Sequence, residues 1–259
     1  MELKYCRYEK RGPVAYVTIA RPEVMNALHT AAHHELSSVW DDFAGDPQLR
    51  VGVLTGEGER AFCAGRDLKS LSASAGAGAE RPASGGGGLT HRFNLDKPII
   101  ARVNGFALGG GMEIALACDV IVAADHAEFG LPEPRRGLIA GALGVHRLPR
   151  QLPLKVAMGY LLTGRHFSAQ RAYELGLVNQ VVPLSGLDEA VDAWVSDMLR
   201  CAPLAVQATK QSALRGLEMP LSEAAATTFE AEIRRRSSLD AEEGPRAFAE
   251  KRQPIWRGE

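Results

Sequence analysis

The sequence lacks the features of a membrane protein and of a strongly charged nucleic-acid-binding protein. The N-terminus has no apolar signal-peptide core. No apolar run is long enough to span a bilayer, because charged residues such as Glu113 and Asp119 interrupt the longest ones. The formal net charge of −1 over 259 residues gives no general attraction for nucleic acid or for an anionic membrane. We therefore expect a cytoplasmic protein, without membrane or nucleic-acid partners, whose anion-binding sites are local.

Cysteine is also scarce. The chain has four cysteines, and no two of them have the CxxC spacing that is typical of a zinc site. They lie far apart in the sequence, so we expect reduced thiols and no disulfide framework. The hydrophobic fraction of 46% is enough to bury a sizeable core. These properties indicate an ordinary globular protein, whose function must be sought in local motifs.

Strand-like and helix-like segments alternate in the first half of the chain, and helices dominate the second half. This order predicts an α/β protein with a core of repeated β-β-α units and a helical C-terminal region. The predicted strands are residues 3–8, 14–19, 51–54, 99–103, 120–123 and 178–182. The predicted helices are residues 27–43 with Asn26 as the N-cap, 112–118, the Ser168-capped segment to residue 174, and several from residue 187 onward, broken at Pro203, Pro220 and Gly244-Pro245.

Three segments are predicted to be irregular. Residues 56–65 form a loop and residues 104–111 a glycine-rich turn. Residues 72–90 are rich in Gly, Ser and Ala, so we predict a mobile flap or surface loop there.

Three consecutive glycines, residues 109–111, come directly before the predicted helix that carries Glu113. Glycine lets the backbone turn tightly and approach a ligand closely, and the N–H groups at a helix start favour a negative oxygen. The spacing does not match the GxGxxG of a dinucleotide site, and no GK[ST] follows as a P-loop requires. Taken alone, such a segment is more often a close-packed turn between a strand and a helix.

Three segments together resemble the enoyl-CoA hydratase/isomerase (crotonase) superfamily, and most of all an enoyl-CoA hydratase. They are AFCAGRDL at 61–68, NGFALGGGME at 104–113 and FGLPE at 129–133, and the resemblance extends from RPEVMNAL at 21–28 to FAEKR at 248–252. It implies a crotonase-like spiral of β-β-α units over residues 1–195 and a helical trimerisation region over residues 196–259. It also implies a homotrimer or hexamer that acts on an acyl-CoA thioester in fatty acid metabolism.

The resemblance implies catalytic roles for two glutamates and two backbone N–H groups. Glu113 and Glu133 match the pair that hydratases place around one water, without indicating which is the acid and which the base. The N–H groups of Arg66 and Gly110 match the oxyanion hole, which stabilises the charge that develops on the thioester oxygen. The backbone of Gly141 matches the position that holds the water. Two carboxylates that face one cavity repel each other, so we expect at least one raised pKa.

The resemblance also implies how the substrate is held. Coenzyme A is part of the substrate, so we expect no separate cofactor and no metal. Ala140 stands where many hydratases of the family have a proline. The positions that match CoA-binding residues are Met25, Ala27, Ala64, Asp67, Leu68, Lys69 and, from a C-terminal helix that serves a neighbouring subunit, Phe248 and Lys251.

Two alternatives to hydration stay open. An isomerase, hydrolase or dehalogenase of the superfamily would use the same oxyanion hole, although isomerases often keep only the second acidic position. A non-catalytic RNA-binding homologue is the other alternative, and its local signal is the cluster Arg234 to Arg236. The near-zero net charge argues against it. The sequence does not indicate which acyl group is bound.

Overall fold

The structure is a computed structural model that describes residues 2–67 and 81–259. Within these residues, the strands are β1 (Cys6–Arg11), β2 (Val14–Ile19), β3 (Val51–Gly56), β4 (Ala61–Cys63), β5 (Ile99–Val103), β6 (Phe106–Leu108), β7 (Val120–Ala124), β8 (Glu128–Gly130), β9 (Phe167–Ser168) and β10 (Gln180–Val182). The α-helices are α1 (Thr30–Gly45), α2 (Gly110–Ala115), α3 (Gly144–Gln151), α4 (Leu154–Thr163), α5 (Ala169–Glu174), α6 (Leu187–Leu199), α7 (Pro203–Gly216), α8 (Leu221–Ala226), α9 (Glu230–Arg236) and α10 (Leu239–Ala249).

The described strands form two sheets, and successive strands from β3 to β8 alternate between them. The larger sheet has the order β1-β2-β3-β5-β7-β10, and its strands are parallel except for the β1–β2 hairpin. The smaller sheet has the order β4-β6-β8-β9, with β4, β6 and β8 parallel. One strand of each sheet is therefore followed along the chain by a strand of the other, in the order β3 then β4, β5 then β6, and β7 then β8. This is the repeated unit that the alternation of segments predicts.

The larger sheet is covered on both faces, which explains why its central strands are almost entirely apolar. One face packs into the main core with α1, whose buried side chains include Leu36, Trp40 and Phe43. The opposite face packs against α6 through a second cluster. The members of that cluster on the strands and on α6 include Val51, Val53, Ile100, Val122, Leu187, Val191 and Val195. The two sheets and their helices therefore hold the loops at the strand ends in place.

The predicted start of the first long helix is wrong. The helix α1 begins at Thr30, and the side chain of His29 caps it by accepting a hydrogen bond from the Ala32 N–H at 3.1 Å. Asn26, the predicted cap, is fully buried with a left-handed φ of 57°. Its side-chain amide donates to the carbonyl oxygens of Glu57 and Ala61. Asn26 therefore joins two loops, because its amide satisfies buried backbone groups that no strand reaches.

Two other boundaries were also predicted wrongly. The strands β4 and β6 lie inside segments predicted as loop and turn, since three residues are too few to show a period. The predicted break at Gly244-Pro245 lies inside α10. Glu243 in this helix is bonded to Arg246, Arg252 and the Ile255 N–H, so contacts with the C-terminal tail hold the helix together around the proline. The division into residues 1–195 and 196–259 stays a prediction, and α6 crosses residue 195.

The glycine-rich segment is packed where the structure describes it. Residues 72–80 of the predicted flap lie outside the described residues, but Gly85 to Thr90 are buried against α1, which contradicts a surface loop there. The Trp40 indole N–H donates to the Gly87 oxygen at 3.0 Å, and the Gly87 N–H donates to the His33 ring at 2.9 Å. The glycines allow the backbone of this segment to approach α1 closely. Composition alone cannot distinguish a glycine-rich segment that is closely packed from one that is mobile. In the described part of the chain, no helix has the length and apolarity needed to cross a membrane.

We predict that Gly88→Ala destabilises the protein by about 2 kcal/mol or more, because a new methyl group would be overpacked against α1. Gly88 has a φ of +70°, and a Cβ placed on it would lie 2.6 Å from the Ser37 Cα and N atoms. Gly12→Ala is the matched control, since Gly12 has a φ of +55° with nothing within 4 Å of its Cβ position. We expect about 1 kcal/mol for it from backbone strain alone. Urea unfolding measures both, and equal losses would contradict the packing argument.

Candidate active site

A cavity of about 420 Å³ lies where the three parallel strands of the smaller sheet end. Because β4, β6 and β8 are parallel, their carboxyl ends meet at one edge. Each strand runs directly into one of the three motif segments. The cavity wall therefore contains most of the residues for which the resemblance predicts a role. Those that line it are Met25, Ala64, Arg66, Gly110, Glu113, Glu133 and Gly141.

The backbone N–H groups of Arg66 and Gly110 lie next to each other at the cavity wall. A Cβ placed on Gly65 would lie 2.9 Å from the Gly110 nitrogen, and one placed on Gly110 would lie 3.8 Å from the Arg66 nitrogen. Gly65, with a φ of +95°, leaves no space for a side chain between these two segments. Within the described residues, neither N–H donates a hydrogen bond to the protein. Two adjacent, unused donors beside a cavity suit an oxygen atom that gains negative charge during a reaction.

Glu113 is the buried carboxyl group of the site. It lies in the first turn of α2, is 3% exposed, and accepts a hydrogen bond from the Gly144 N–H at 2.8 Å. Burial raises the pKa of Glu113 to about 7, and repulsion from the nearby Glu133 adds to this, while the bond from Gly144 opposes it. Glu113 is therefore able to gain or lose a proton near neutral pH.

Glu133 faces Gly109 across the cavity wall. It begins the short 3-10 helix Glu133–Arg136, and its Oε1 atom would lie 2.9 Å from a Cβ placed on Gly109. Burial raises the pKa of Glu133, and the positive charge of Arg136 opposes this rise. Its Oε2 atom is buried without a hydrogen-bond partner in the described part of the chain. A buried carboxyl oxygen without a donor is unfavourable, so this atom is available to a water or a substrate.

Gly141 lines the cavity, but its N–H donates to the Ile139 oxygen at 2.8 Å. The nearby amides that contact the Glu113 carboxyl group are those of Gly144, at 2.8 Å, and Ala142. Ala140, which replaces the proline of many hydratases, is buried, and its carbonyl accepts the Val145 N–H at 3.3 Å. The role of Gly141 in holding water stays a prediction, which would have to rest on its carbonyl oxygen.

The residues predicted to bind CoA are distributed more widely. Met25 and Ala64 line the cavity and are joined by a hydrogen bond from the Ala64 N–H to the Met25 oxygen at 3.0 Å. Asp67 forms an ion pair with Arg21 at 3.1 Å. Ala27 is buried. Leu68 and Lys69 lie outside the described residues. Phe248 and Lys251 are exposed and do not line this cavity. Their roles in CoA binding stay predictions.

The sequence reasoning missed several cavity residues, and all but Leu28 and Leu108 lie outside the quoted motifs. His33 is an example for which a signal exists, because it shares the helical spacing of Leu36 and Trp40 on the buried face of α1. Arg81 follows the glycine-rich segment and has no such signal. The missed residues at the wall include Leu28, His33, Arg81, Leu108, Ile114, Arg136, Leu138, Ile139, Ala142 and His166. Across residues 2–67 and 81–259, no group of three or more His, Cys, Asp or Glu side chains is arranged to hold a metal ion.

Comparisons with known proteins agree with one another. A family model described as "Enoyl-CoA hydratase/isomerase" matches residues 9–259. A carnitinyl-CoA dehydratase from Citrobacter koseri is 40% identical over 255 residues, which is 97% of each chain. One from Escherichia coli is 41% identical, covering 96% of this chain and 97% of that protein. A solved enoyl-CoA hydratase from Mycobacterium tuberculosis has a TM-score of 0.91 at 39% identity, over 98% of this chain and 99% of that one.

We predict that Glu113→Gln stabilises the protein at pH 8 but not at pH 4. Folding raises the pKa of Glu113 from 4.5 to about 7, so the wild type loses stability as the pH rises through this interval. A shift of one pKa unit corresponds to about 1.4 kcal/mol of unfolding free energy. The variant therefore avoids a loss of stability of at most about 3 kcal/mol. Glutamine keeps an oxygen acceptor for the Gly144 N–H. Thermal unfolding from pH 4 to 8 measures the difference, with the exposed Glu223→Gln as control. A difference that does not change with pH would contradict the assignment.

Proposed function

The chain belongs to the enoyl-CoA hydratase/isomerase (crotonase) family, and on this premise we propose that it adds water reversibly across the 2,3 double bond of an enoyl-CoA thioester. It is an enzyme of the acyl-CoA hydratase and dehydratase class. The TM-score of 0.91 at 39% identity confirms the crotonase-like fold. The observation that carries the finer proposal is that two carboxyl groups line the same cavity as two adjacent, unused N–H donors.

The N–H groups of Arg66 and Gly110 would bind the thioester carbonyl oxygen. When water attacks the third carbon of the acyl chain, electron density moves through the double bond onto this oxygen. Donors that are already in position stabilise the developing enolate by about 3 kcal/mol, which is the effect of removing one such donor in other enzymes. The side chain of Arg66 is not needed for this role, since the donor is its backbone N–H.

Glu113 and Glu133 would act on one water from two sides. One carboxylate accepts a proton from the water as the hydroxyl group bonds to the third carbon, and the other carboxyl group donates a proton to the second carbon. The water is thus added completely, and the protonation states of the two groups are exchanged. A pKa of about 7 for Glu113 and a raised pKa for Glu133 suit such transfers near neutral pH. Either residue can take either role in this scheme.

The same groups serve the reverse reaction. Removal of water from a 3-hydroxyacyl-CoA passes through the same enolate, so the oxyanion hole and both glutamates act in both directions. Relatives that are 40–41% identical are named carnitinyl-CoA dehydratase, which supports dehydration as an activity of this chain as well.

The alternatives gain no specific support from the geometry. Isomerases, hydrolases and dehalogenases would use the same two N–H donors, but the presence of both carboxyl groups favours addition or removal of water. For RNA binding, the expected basic cluster is offset by nearby acids. Arg235 and Arg236 pair with Glu232 at 2.7 and 2.8 Å, and Arg234 lies 3.4 Å from Asp96.

The proposed assembly is a homotrimer, or a hexamer of two trimers. Large apolar side chains of the C-terminal helices are exposed in the single chain, including Leu217 at 84%, Leu221 at 85% and Phe248 at 88%. Their burial between subunits would remove apolar surface from water. In such an assembly, Phe248 and Lys251 would contact CoA bound to a neighbouring subunit.

We predict that Glu113→Gln and Glu133→Gln each lower kcat for crotonyl-CoA hydration at least about 100-fold, because each removes a proton-transfer group from the transition state. The KM should change little by comparison. The loss of enoyl-thioester absorbance measures the rate, and mass spectrometry of the product should show the addition of one water. Glu223→Gln, an exposed glutamate on α8, is the control and should keep the wild-type rate.

Two outcomes would contradict the proposed function. The first is that both cavity variants retain wild-type rates on a panel of enoyl-CoA thioesters. The second is a product of unchanged mass, which would indicate an isomerase, or free CoA, which would indicate a hydrolase.

A further inference from the structure

Several polar side chains of the cavity wall take no part in the proposed reaction. His33 from α1 and Arg81 from the segment before Gly86 are two of them, and both can donate hydrogen bonds. They lie near each other, since the charge of Arg81 acts on the His33 ring. Two neighbouring donors suit a ligand group with more than one acceptor oxygen.

His33 is held as a neutral ring with one defined donor. It is 6% exposed, and its Nδ1 atom accepts the Gly87 N–H at 2.9 Å. Burial lowers the pKa of His33 to about 3, and the positive charge of Arg81 adds to this effect. The ring is therefore neutral at physiological pH. Since Nδ1 accepts, the proton lies on Nε2, which donates to no described residue.

Arg81 is a partly buried cation without an ion pair among the described residues. Burial lowers its pKa, but a guanidinium stays charged at physiological pH. Among the described residues, the charged groups that act on it are Arg66, which repels it, and Glu113, whose pKa of about 7 leaves it only partly ionised. A partly buried charge is more favourable when a ligand supplies the opposite charge.

The surroundings of the two donors suit an acyl chain. Ile114, Ala142, Leu138 and Ile139 line the same cavity and offer apolar walls. A thioester held at Arg66 and Gly110 places its double bond beside Glu113 and Glu133, so the remaining acyl carbons extend farther into the cavity. His33 and Arg81 are two wall donors that neither the carbonyl nor the water would occupy. Of the other basic side chains at the wall, His166 pairs with Glu128, the charge of Arg136 acts on Glu133, and that of Arg66 acts on Arg81.

We propose that His33 and Arg81 form a subsite for a carboxylate at the end of the acyl group, so that the preferred substrates are carboxylated enoyl-CoA thioesters and their 3-hydroxy counterparts. This inference rests on the proposed function and adds its substrate class. The Arg81 guanidinium forms a charge-assisted hydrogen bond with the carboxylate, and the His33 Nε2–H donates a second. The charge of Arg81 repels an acyl group that ends in a quaternary ammonium, such as the carnitinyl group in the name of the relatives.

The test compares kcat/KM for three 2-enoyl-CoA thioesters with different ends. Glutaconyl-CoA ends in a carboxylate, 2-hexenoyl-CoA is neutral, and crotonobetainyl-CoA ends in a trimethylammonium group. We expect the wild type to prefer glutaconyl-CoA by at least about tenfold, which is the effect of one hydrogen bond to a charged group. Arg81→Met should abolish this preference by raising the KM for glutaconyl-CoA. It should change kcat/KM for 2-hexenoyl-CoA less than about threefold. Arg81→Lys should keep part of the preference.

Three further variants separate the subsite from general effects. His33→Phe removes the second donor and should lower the preference, whereas His33→Gln can both accept the Gly87 N–H and donate into the cavity, and should retain more of it. Arg150→Met removes the same charge from an exposed position on α3 and should leave all three rates unchanged. Thermal unfolding of each variant checks that it is folded.

The same experiment also distinguishes a carboxylate of the acyl group from a phosphate of CoA as the anion that Arg81 binds. If Arg81 bound a phosphate of CoA, Arg81→Met would lower kcat/KM equally for all three thioesters, and that result would overturn the proposal. A wild-type preference for the neutral or the cationic thioester would overturn it as well. If no thioester is hydrated, the proposed function fails, and calorimetry then tests the subsite alone. Glutaryl-CoA should bind at least about tenfold more tightly than hexanoyl-CoA, and equal binding would overturn the subsite.

Discussion

The site depends on the close approach of two backbone segments, the loop after β4 and the start of α2. Gly65 and Gly110 pass so near each other that no side chain fits at Gly65, and this contact sets the Arg66 and Gly110 N–H groups side by side. It also sets the position of α2, and thereby of Glu113. A Cβ on Gly111 would overlap the Cys63 oxygen, while Gly109 leaves space for the Glu133 carboxyl group. Each glycine of the triplet therefore accommodates a different neighbour.

The burial of Glu113 and Glu133 suits them to proton transfer and also makes them unfavourable for the stability of the fold. Both are withdrawn from water, and neither forms an ion pair with a described residue, so burial raises the pKa of each. A proton can then move at neutral pH, but a carboxylate in this place opposes folding. The protein tolerates this because two covered sheets and their helices supply a large apolar core. The stability of the scaffold and the reactivity of the site are thus properties of different parts of the molecule.

The two carboxyl groups of the cavity and the two donors of the proposed subsite come from different parts of the chain. Glu113 and Glu133 lie with the strand ends of the smaller sheet, whereas His33 comes from α1 and Arg81 from the segment packed on it. The acids belong to the motifs that the family shares, and the donors to a part of the chain with no recognisable motif. Because of this separation, members of the family could share the same reaction and still bind different acyl groups.

The sequence by itself determined the family, the β-β-α repeat and the three segments that meet at the cavity, because glycines, prolines and acids at these intervals satisfy strict local demands of the backbone. It did not determine the partners of Asn26 or the burial of Gly85 to Thr90, since both depend on residues far away in the chain. Only the tertiary structure decided that Glu113 is withdrawn from water and that Glu133 has a buried oxygen to which no described residue donates. It alone brought His33 and Arg81 to one wall. Burial and electrostatics are sums over all neighbours in space, and a local motif specifies only the neighbours in sequence.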